Sequence, residues 1–170
     1  MENSEKINIT GDVNKEQELL QPVLGEKSVE TGKHHVKLTI INNTSKPLKY
    51  IPDPWFESGG LAEGSGFKDL QPKESSVTDM LDNFGFAGCS GFVNFSNNHQ
   101  VLTIAFSNPN LGGNKIGVGS TSHPKDVWEA MDKHYGHENT VEVKLSGVSC
   151  QFYNSGGSMN EAHVEFYDSL

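Results

Sequence analysis

The chain contains no arginine. All 13 of its basic residues are lysine, against 22 acidic ones, and the formal net charge is -9. A surface of that sign repels phosphate backbones, and the planar fork that grips phosphate with two hydrogen bonds is missing, so nucleic-acid binding is not expected. Cysteine is nearly absent. Cys89 and Cys150 permit at most one bridge, too few for a disulfide framework, and their apolar strand settings suit two buried free thiols. Long hydrophobic runs are missing as well. No stretch approaches the roughly 18 apolar residues of a spanning helix, and the opening MENSEKINIT lacks the apolar core of a signal peptide. The expectation is a soluble protein that, if released to act at target-cell membranes, leaves the cell without a visible address. Asn8, Asn43 and Asn94 head triplets of the N-glycosylation type, which matter only on a secretory route.

What is present points to sheets. With 170 residues the chain suits one domain able to bury a core without staples. Hydrophobic residues make up 34%, glycine numbers 18, and Asn and Ser are frequent, a balance that fits a loop-rich β fold better than a helical bundle. Residues 1–33 form a polar, acidic leader, flexible or weakly helical over 11–24, where Pro22 interrupts the last turn. Residues 34–170 form the body. Two-residue alternation predicts strands at 35–42, 48–51, 75–81, 91–96, 101–106, 116–118, 141–145, 149–153 and 163–167. Pro52 and Pro54 are expected to halt the second of these, and 58–66 reads as a glycine-rich loop. One helix is expected at 124–135. Ser122 offers a cap and Pro124 sits early, while Val127, Trp128, Met131, His134 and Tyr135 follow at helical spacing until Gly136. Many short strands with one intervening helix predict an all-β antiparallel sandwich with one or two flanking helices.

Several constellations invite a chemical reading and fail it. His134 and His137 would share a metal only on a continuous helix, and Gly136 interrupts it. His34 and His35 are neighbours on a strand and point to opposite sides. No nucleophile elbow occurs, and the Gly112-Gly113 and Gly156-Gly157 pairs are hairpin material without a following phosphate-binding helix. No enzyme activity, metal or cofactor is therefore expected. Trp55 and Phe56 read as core, and Trp128 and Met131 as the face that packs the helix on the sandwich.

The segment VLTIAFSNPNLGGNKIGV, 101–118, begins as a buried strand and is expected to break at Ser107-Asn108-Pro109. With three other motifs it carries a resemblance. Ile40-Ile-Asn-Asn-Thr44 is followed by Trp55-Phe56-Glu57-Ser58-Gly59; then come Gly88-Cys89-Ser90-Gly91-Phe92-Val93, Phe106-Ser107-Asn108-Pro109, and the helix from Trp128 to His134-Tyr135. In this order and spacing, over about 35–169, they resemble the actinoporin-like cytolysin/lectin group of sea-anemone actinoporins and fungal fruit-body lectins, with aegerolysins as the nearby alternative.

The resemblance implies a β-sandwich whose side pocket holds the phosphocholine head group of sphingomyelin. Ser58, Ser107, Pro109 and Tyr135 are the matched positions; Ser90 stands where the family has an apolar residue, and His134 replaces one of two adjacent tyrosines. Trp128 would help shape the wall. Hydroxyl donors suit a phosphate, and aromatic faces suit a quaternary ammonium. The family's function implies a membrane-lipid head-group binder, with pore formation as a homo-oligomer on membranes at one extreme. A carbohydrate-binding lectin on the same fold is the alternative. The loop at 110–115 is shorter than the family's membrane-lying one and carries no aromatic residue, the leader is poor in apolar residues, and the chain is acidic where the family is basic. These departures favour binding over pore formation.

Overall fold

The structure, a computed structural model, describes residues 34–83, 87–98, 100–131 and 140–169, together with the backbone of Asn3–Lys6. The elements run β1 (Asn3–Lys6), β2 (His35–Asn43), β3 (Lys49–Ser58), β4 (Gly60–Leu61), β5 (Ser75–Leu81), β6 (Cys89–Asn97), β7 (Gln100–Asn108), β8 (Lys115–Ser120), α1 (Pro124–Met131), β9 (Thr140–Lys144), β10 (Val148–Asn154) and β11 (Met159–Asp168). Alternation builds each long strand. On β2, Val36, Leu38, Ile40 and Asn42 are buried and their neighbours are not.

Two sheets result. One has seven strands in the order β1-β9-β10-β11-β2-β5-β4, the other four in the order β3-β6-β7-β8. Among the pairings, β11 with β2 is parallel and the others are antiparallel. The inner faces meet through Phe95, Phe106, Phe166, Leu38, Ile40, Leu102 and Ile104, each 0% exposed. Every such side chain stabilises the fold by roughly 1.5–3 kcal/mol. This is the expected all-β sandwich with a flanking helix.

Asparagine closes the sandwich where carbon cannot. Asn160 on β11 donates from Nδ2 to Ser107 O (2.9 Å) and Lys115 O (3.1 Å), crossing from one sheet to the other. Asn108 Nδ2 donates to His35 O and Ser158 O, and Asn114 Nδ2 donates to Ser155 O and Gly157 O. Asn154 Nδ2 donates in turn to Asn160 Oδ1. All four asparagines are at most 5% exposed. Their amides bond backbone groups that would otherwise be buried without partners.

Three expectations need correcting. First, β3 does not stop at Pro52 but runs through both prolines to Ser58. It is an edge strand of its sheet, where a missing N–H costs no ladder bond, and Asp53 (φ 73°) with a register jump between Ile51 and Trp55 absorbs the misfit. Second, β4 forms inside the expected loop, pairing Gly60 with Leu81 and Leu61 with Met80. Third, β7 continues through Ser107 and Asn108, which pair with Ser90 and Cys89, and ends only at Pro109. Within the leader, Asn3–Lys6 pairs with β9; the expected helical piece at 11–24 lies outside the described residues, as do His134 and Tyr135.

The helix docks on the outer face of the four-stranded sheet, over β8 and β7. Glycines on β8 let it approach. A Cβ at Gly119 would lie 2.9 Å from Val127 Cγ2, and one at Gly117 would lie 3.2 Å from Met131 Cβ. Met131 is 2% exposed, as its place on the helix's apolar stripe requires.

Candidate functional site

Strand alternation and register together set a row of polar residues across the outer face of the smaller sheet. On β6, Val93 and Phe95 point into the core, which turns Ser90, Phe92 and Asn94 outward. On β7, core-facing Phe106 turns Ser107 outward. Ser58 pairs with Ser90, Ser90 with Ser107, and Ser107 with Lys115. Four strands thus contribute one residue each, with neighbours about 5 Å apart at Cα.

A bulge brings an aromatic corner to the same face. Trp55 and Ser58 are three apart, so strict alternation would set them on opposite sides. The register slips between Phe56 and Ser58, and Glu57 is the extra, exposed residue. Trp55 therefore shares the outer face with Ser58, while Phe56 turns inward and meets Phe106 at 5.8 Å between ring centroids. Gly91 makes room for the bulge: a Cβ there would lie 2.1 Å from Trp55 O. The Trp55 ring stacks on Phe92 (5.3 Å, 27°) and meets Trp128 edge-on (5.2 Å, 80°). The Lys125 ammonium sits over the Trp55 ring, 5.2 Å from its centroid.

Helix and row are joined by a hydrogen bond. Trp128 donates from Nε1 to Ser90 Oγ at 2.8 Å, and the Ser90 hydroxyl donates to Phe106 O at 3.3 Å. That arrangement fixes a helix rather than activates a nucleophile. Ser90 and Ser107 are each 5% exposed, whereas Ser58, Pro109 and Trp128 are half-buried. The row is accordingly closed under the helix and open at its Ser58 end. Pro109 follows Asn108 directly, and its Cα would lie 3.2 Å from a Cβ on Gly88, so it borders the start of β6. Just beyond, Leu111 is 86% exposed.

The sequence-derived candidates divide as follows. Ser58, Ser90 and Ser107 share one row, Trp128 is bonded to it, and Pro109 ends the strand beside it. His134 and Tyr135 lie outside the described residues. Trp55, read as core, is on the outer face; Phe92 and Lys125 were not singled out. The bulge that aims Trp55 has no signature beyond the two prolines before it.

Other reactive groups are accounted for. Burial pushes the Cys89 thiol up to about 12 and the Cys150 thiol well above its ordinary value; both are buried and neither is in a disulfide. His34 Nδ1 lies 3.0 Å from Asp82 Oδ2 and His35 Nε2 lies 3.0 Å from Asp79 Oδ1, so the adjacent histidines serve separate carboxylates. Among the described residues no three His, Cys, Asp or Glu side chains cluster as metal ligands. No described helix is long and apolar enough to cross a membrane.

Comparison with solved structures shows the fold. The lipid-binding protein Nakanori superposes with a TM-score of 0.67 at 14% identity, covering 96% of this chain and 87% of its own. The Xerocomus chrysenteron lectin XCL superposes with a TM-score of 0.55 at 14% identity, covering 79% of this chain and 99% of its own. IP-1A from Alcaligenes faecalis follows at 0.54 and 8% identity, covering 81% and 92%. No protein-family model and no curated protein matches the chain. The fold is the actinoporin-like β-sandwich, as the motif order implied.

Proposed function

We propose that the chain is a non-catalytic binding protein that recognises a phosphocholine-type lipid head group at a membrane surface. The observation that carries this reading is the open, Ser58 end of the serine row beside the Trp55–Phe92–Trp128 corner. The Ser58 hydroxyl suits the phosphate and the aromatic rings suit the quaternary ammonium, while Ser90, bonded to Trp128, and Ser107 lie beneath the helix as part of the floor. The lipid-binding neighbour supports it. Leu111, exposed on a loop next to the row, supplies an apolar tip that can enter the interface without aromatic help.

Binding without permeabilisation is the proposed end point. A single leucine on the loop beside the row and a charge of -9 make a weak anchor, and the acidic surface opposes anionic lipid. The expected result is sedimentation with vesicles containing sphingomyelin, none with phosphatidylglycerol alone, and no dye release. Absence of sedimentation with sphingomyelin overturns the reading. Dye release that requires residues 1–33 replaces it with a pore-former.

A glycan ligand is the second reading, favoured by the lectin neighbours and by the half-exposed Trp55 and Phe92 rings, on which a sugar can stack. Asn108, Asn114, Asn154 and Asn160 would not serve it, since they are sealed between the sheets. A glycan array competed with free sugar separates the two ligands.

A further inference from the structure

We propose that the outer face of the seven-stranded sheet docks an extended, lysine- or arginine-bearing segment of a partner protein. This face lies on the other side of the sandwich from the serine row, so the inference goes beyond the head-group reading and does not depend on it.

Alternation and register build the surface. Core-facing Val141, Phe152, Val164 and Leu38 turn their strand neighbours outward. Glu142 pairs with Gln151 and Gln151 with Glu165 in one row. Tyr153 pairs with His163 in the next, and Glu161, Lys37 and Asp79 form a third. These rows hold four carboxylates against one ammonium, that of Lys37, while Lys73 and Lys144 stand at the rim. Strand spacing sets Glu142 and Glu165 about 10 Å apart, and four residues of β11 set Glu161 and Glu165 about 13 Å apart. Side chains three and four residues apart on an extended peptide have about these separations.

The acidic groups are held in place. Glu142 accepts from the Tyr167 hydroxyl and from Gln151 Nε2 at 3.4 Å. Burial and the adjoining Glu142 carboxylate push the Tyr167 phenol well above its usual value, so it stays a donor. Glu165 accepts from Asn43 Nδ2 at 2.8 Å, and Asp79 Oδ1 lies 3.0 Å from His35 Nε2. Between the acidic rows, Tyr153 and His163 stack at 4.8 Å and 9°. They form an aromatic ridge along which the aliphatic stem of a lysine can lie.

Thr140 independently marks a missing partner. It stands on the same face of β9, one residue on from the pairing of Val141 with Phe152 and so beside Tyr153. The residue is 0% exposed and its Oγ1 has no hydrogen-bond partner. A hydroxyl stripped of water without a partner destabilises the fold, and a donor brought by the ligand removes that penalty.

Charge selects the occupant. Residues 1–33 carry seven acidic residues against four lysines, and a second copy presents the same acidic face and the same net charge of -9. Neither complements the surface, and an anionic membrane is repelled by it. A basic segment complements it.

Fluorescence anisotropy of a fluorescein-labelled oligolysine peptide, titrated with the full chain, tests the proposal. Saturable binding that weakens steeply with salt is expected. Glu161→Gln with Glu165→Gln is expected to weaken it about tenfold. Glu57→Gln with Glu129→Gln removes the same charge from exposed positions on the other sheet's side and should change it by less than about twofold. Thr140→Val is expected to raise the urea midpoint, since the orphaned hydroxyl is gone, and to weaken peptide binding about threefold. Circular dichroism verifies the fold of each variant, and Asp79→Asn replaces Glu165→Gln should that chain not fold. Absence of peptide binding, equal losses in the two double variants, or parental binding by Thr140→Val overturns the proposal. A parent dimer in gel filtration that Glu161→Gln with Glu165→Gln dissolves also overturns it, and assigns the face to a second copy. Sedimentation of that double variant with sphingomyelin vesicles is expected to match the parent, which keeps this face distinct from the serine row.

Discussion

A single methyl group at residue 91 tests the geometry on which the candidate site depends. A Cβ on Gly91 would lie 2.1 Å from Trp55 O and 3.0 Å from Phe56 Cα. Carbon and oxygen ordinarily approach no closer than about 3.3 Å, so more than about 1 Å of movement is required. The obstacle is backbone, which no rotamer relieves. Gly91→Ala should cost about 3 kcal/mol, the upper end for overpacking, and lower the Tm by roughly 6–12 °C in a chain of this size. It should also lift Trp55 away from Phe92 and Trp128, now at 5.3 and 5.2 Å, and reduce the near-ultraviolet circular dichroism of the indole pair. Two other glycines calibrate the scale. At Gly119 the added Cβ meets the tip of Val127 at 2.9 Å, a side chain that can turn, and the cost should fall to about 1 kcal/mol. At Gly113 it meets nothing within 4 Å, and the change should stay within about 0.5 kcal/mol. Urea unfolding followed by tryptophan fluorescence gives all three values. A Gly91→Ala chain as stable as Gly113→Ala, with its near-ultraviolet signal intact, would refute the close approach of β3 to β6 at the bulge and with it the alignment of Trp55 and Ser58.

Asn160→Leu removes the two bonds to Ser107 O and Lys115 O and the acceptor for Asn154, and should destabilise the chain by about 3–5 kcal/mol; denaturant midpoints check it, and a loss under about 1 kcal/mol would show that the seam is not bonded this way. Cys89 is held protonated by burial, with its folded value raised to about 12, so its contribution is fully present below the ordinary thiol value. That contribution should be lost as pH climbs from about 8.5 toward the folded value, because the unfolded chain releases its proton first. Urea midpoints should therefore fall between pH 8 and about 10.5, less steeply in Cys89→Ala, and thiol reagents should label neither cysteine until the chain unfolds. Leu111→Asn should leave stability within about 0.5 kcal/mol of the parent while reducing vesicle sedimentation, and Leu111→Trp should increase sedimentation; equal sedimentation by all three chains would detach this loop from membrane contact.

Much of the architecture was legible because a strand's alternation is local. Val36, Leu38 and Ile40, or Leu102, Ile104 and Phe106, announce a half-buried strand without reference to any partner. Proline was misread at β3 because sequence does not say which strands are edges. The same two prolines that end a central strand are harmless on the outermost one. The asparagines that might have faced a sugar proved internal, since a polar residue's burial depends on which carbonyls the other sheet presents to it.

The sequence by itself decided, through its composition, that the surface would be acidic and without guanidinium and that two thiols could make no framework, and, through its residue order, that the chain would fold as many short strands with a helix at its flank. Tertiary structure alone decided that Ser58, Ser90 and Ser107 share a row, that Trp55 joins them on the outer face, and that β2 lies parallel to β11. The reason lies in range. Which side of a strand a residue occupies follows from its immediate neighbours, whereas the relative slide of two strands, and any bulge that shifts it, is set by packing between segments far apart in the chain.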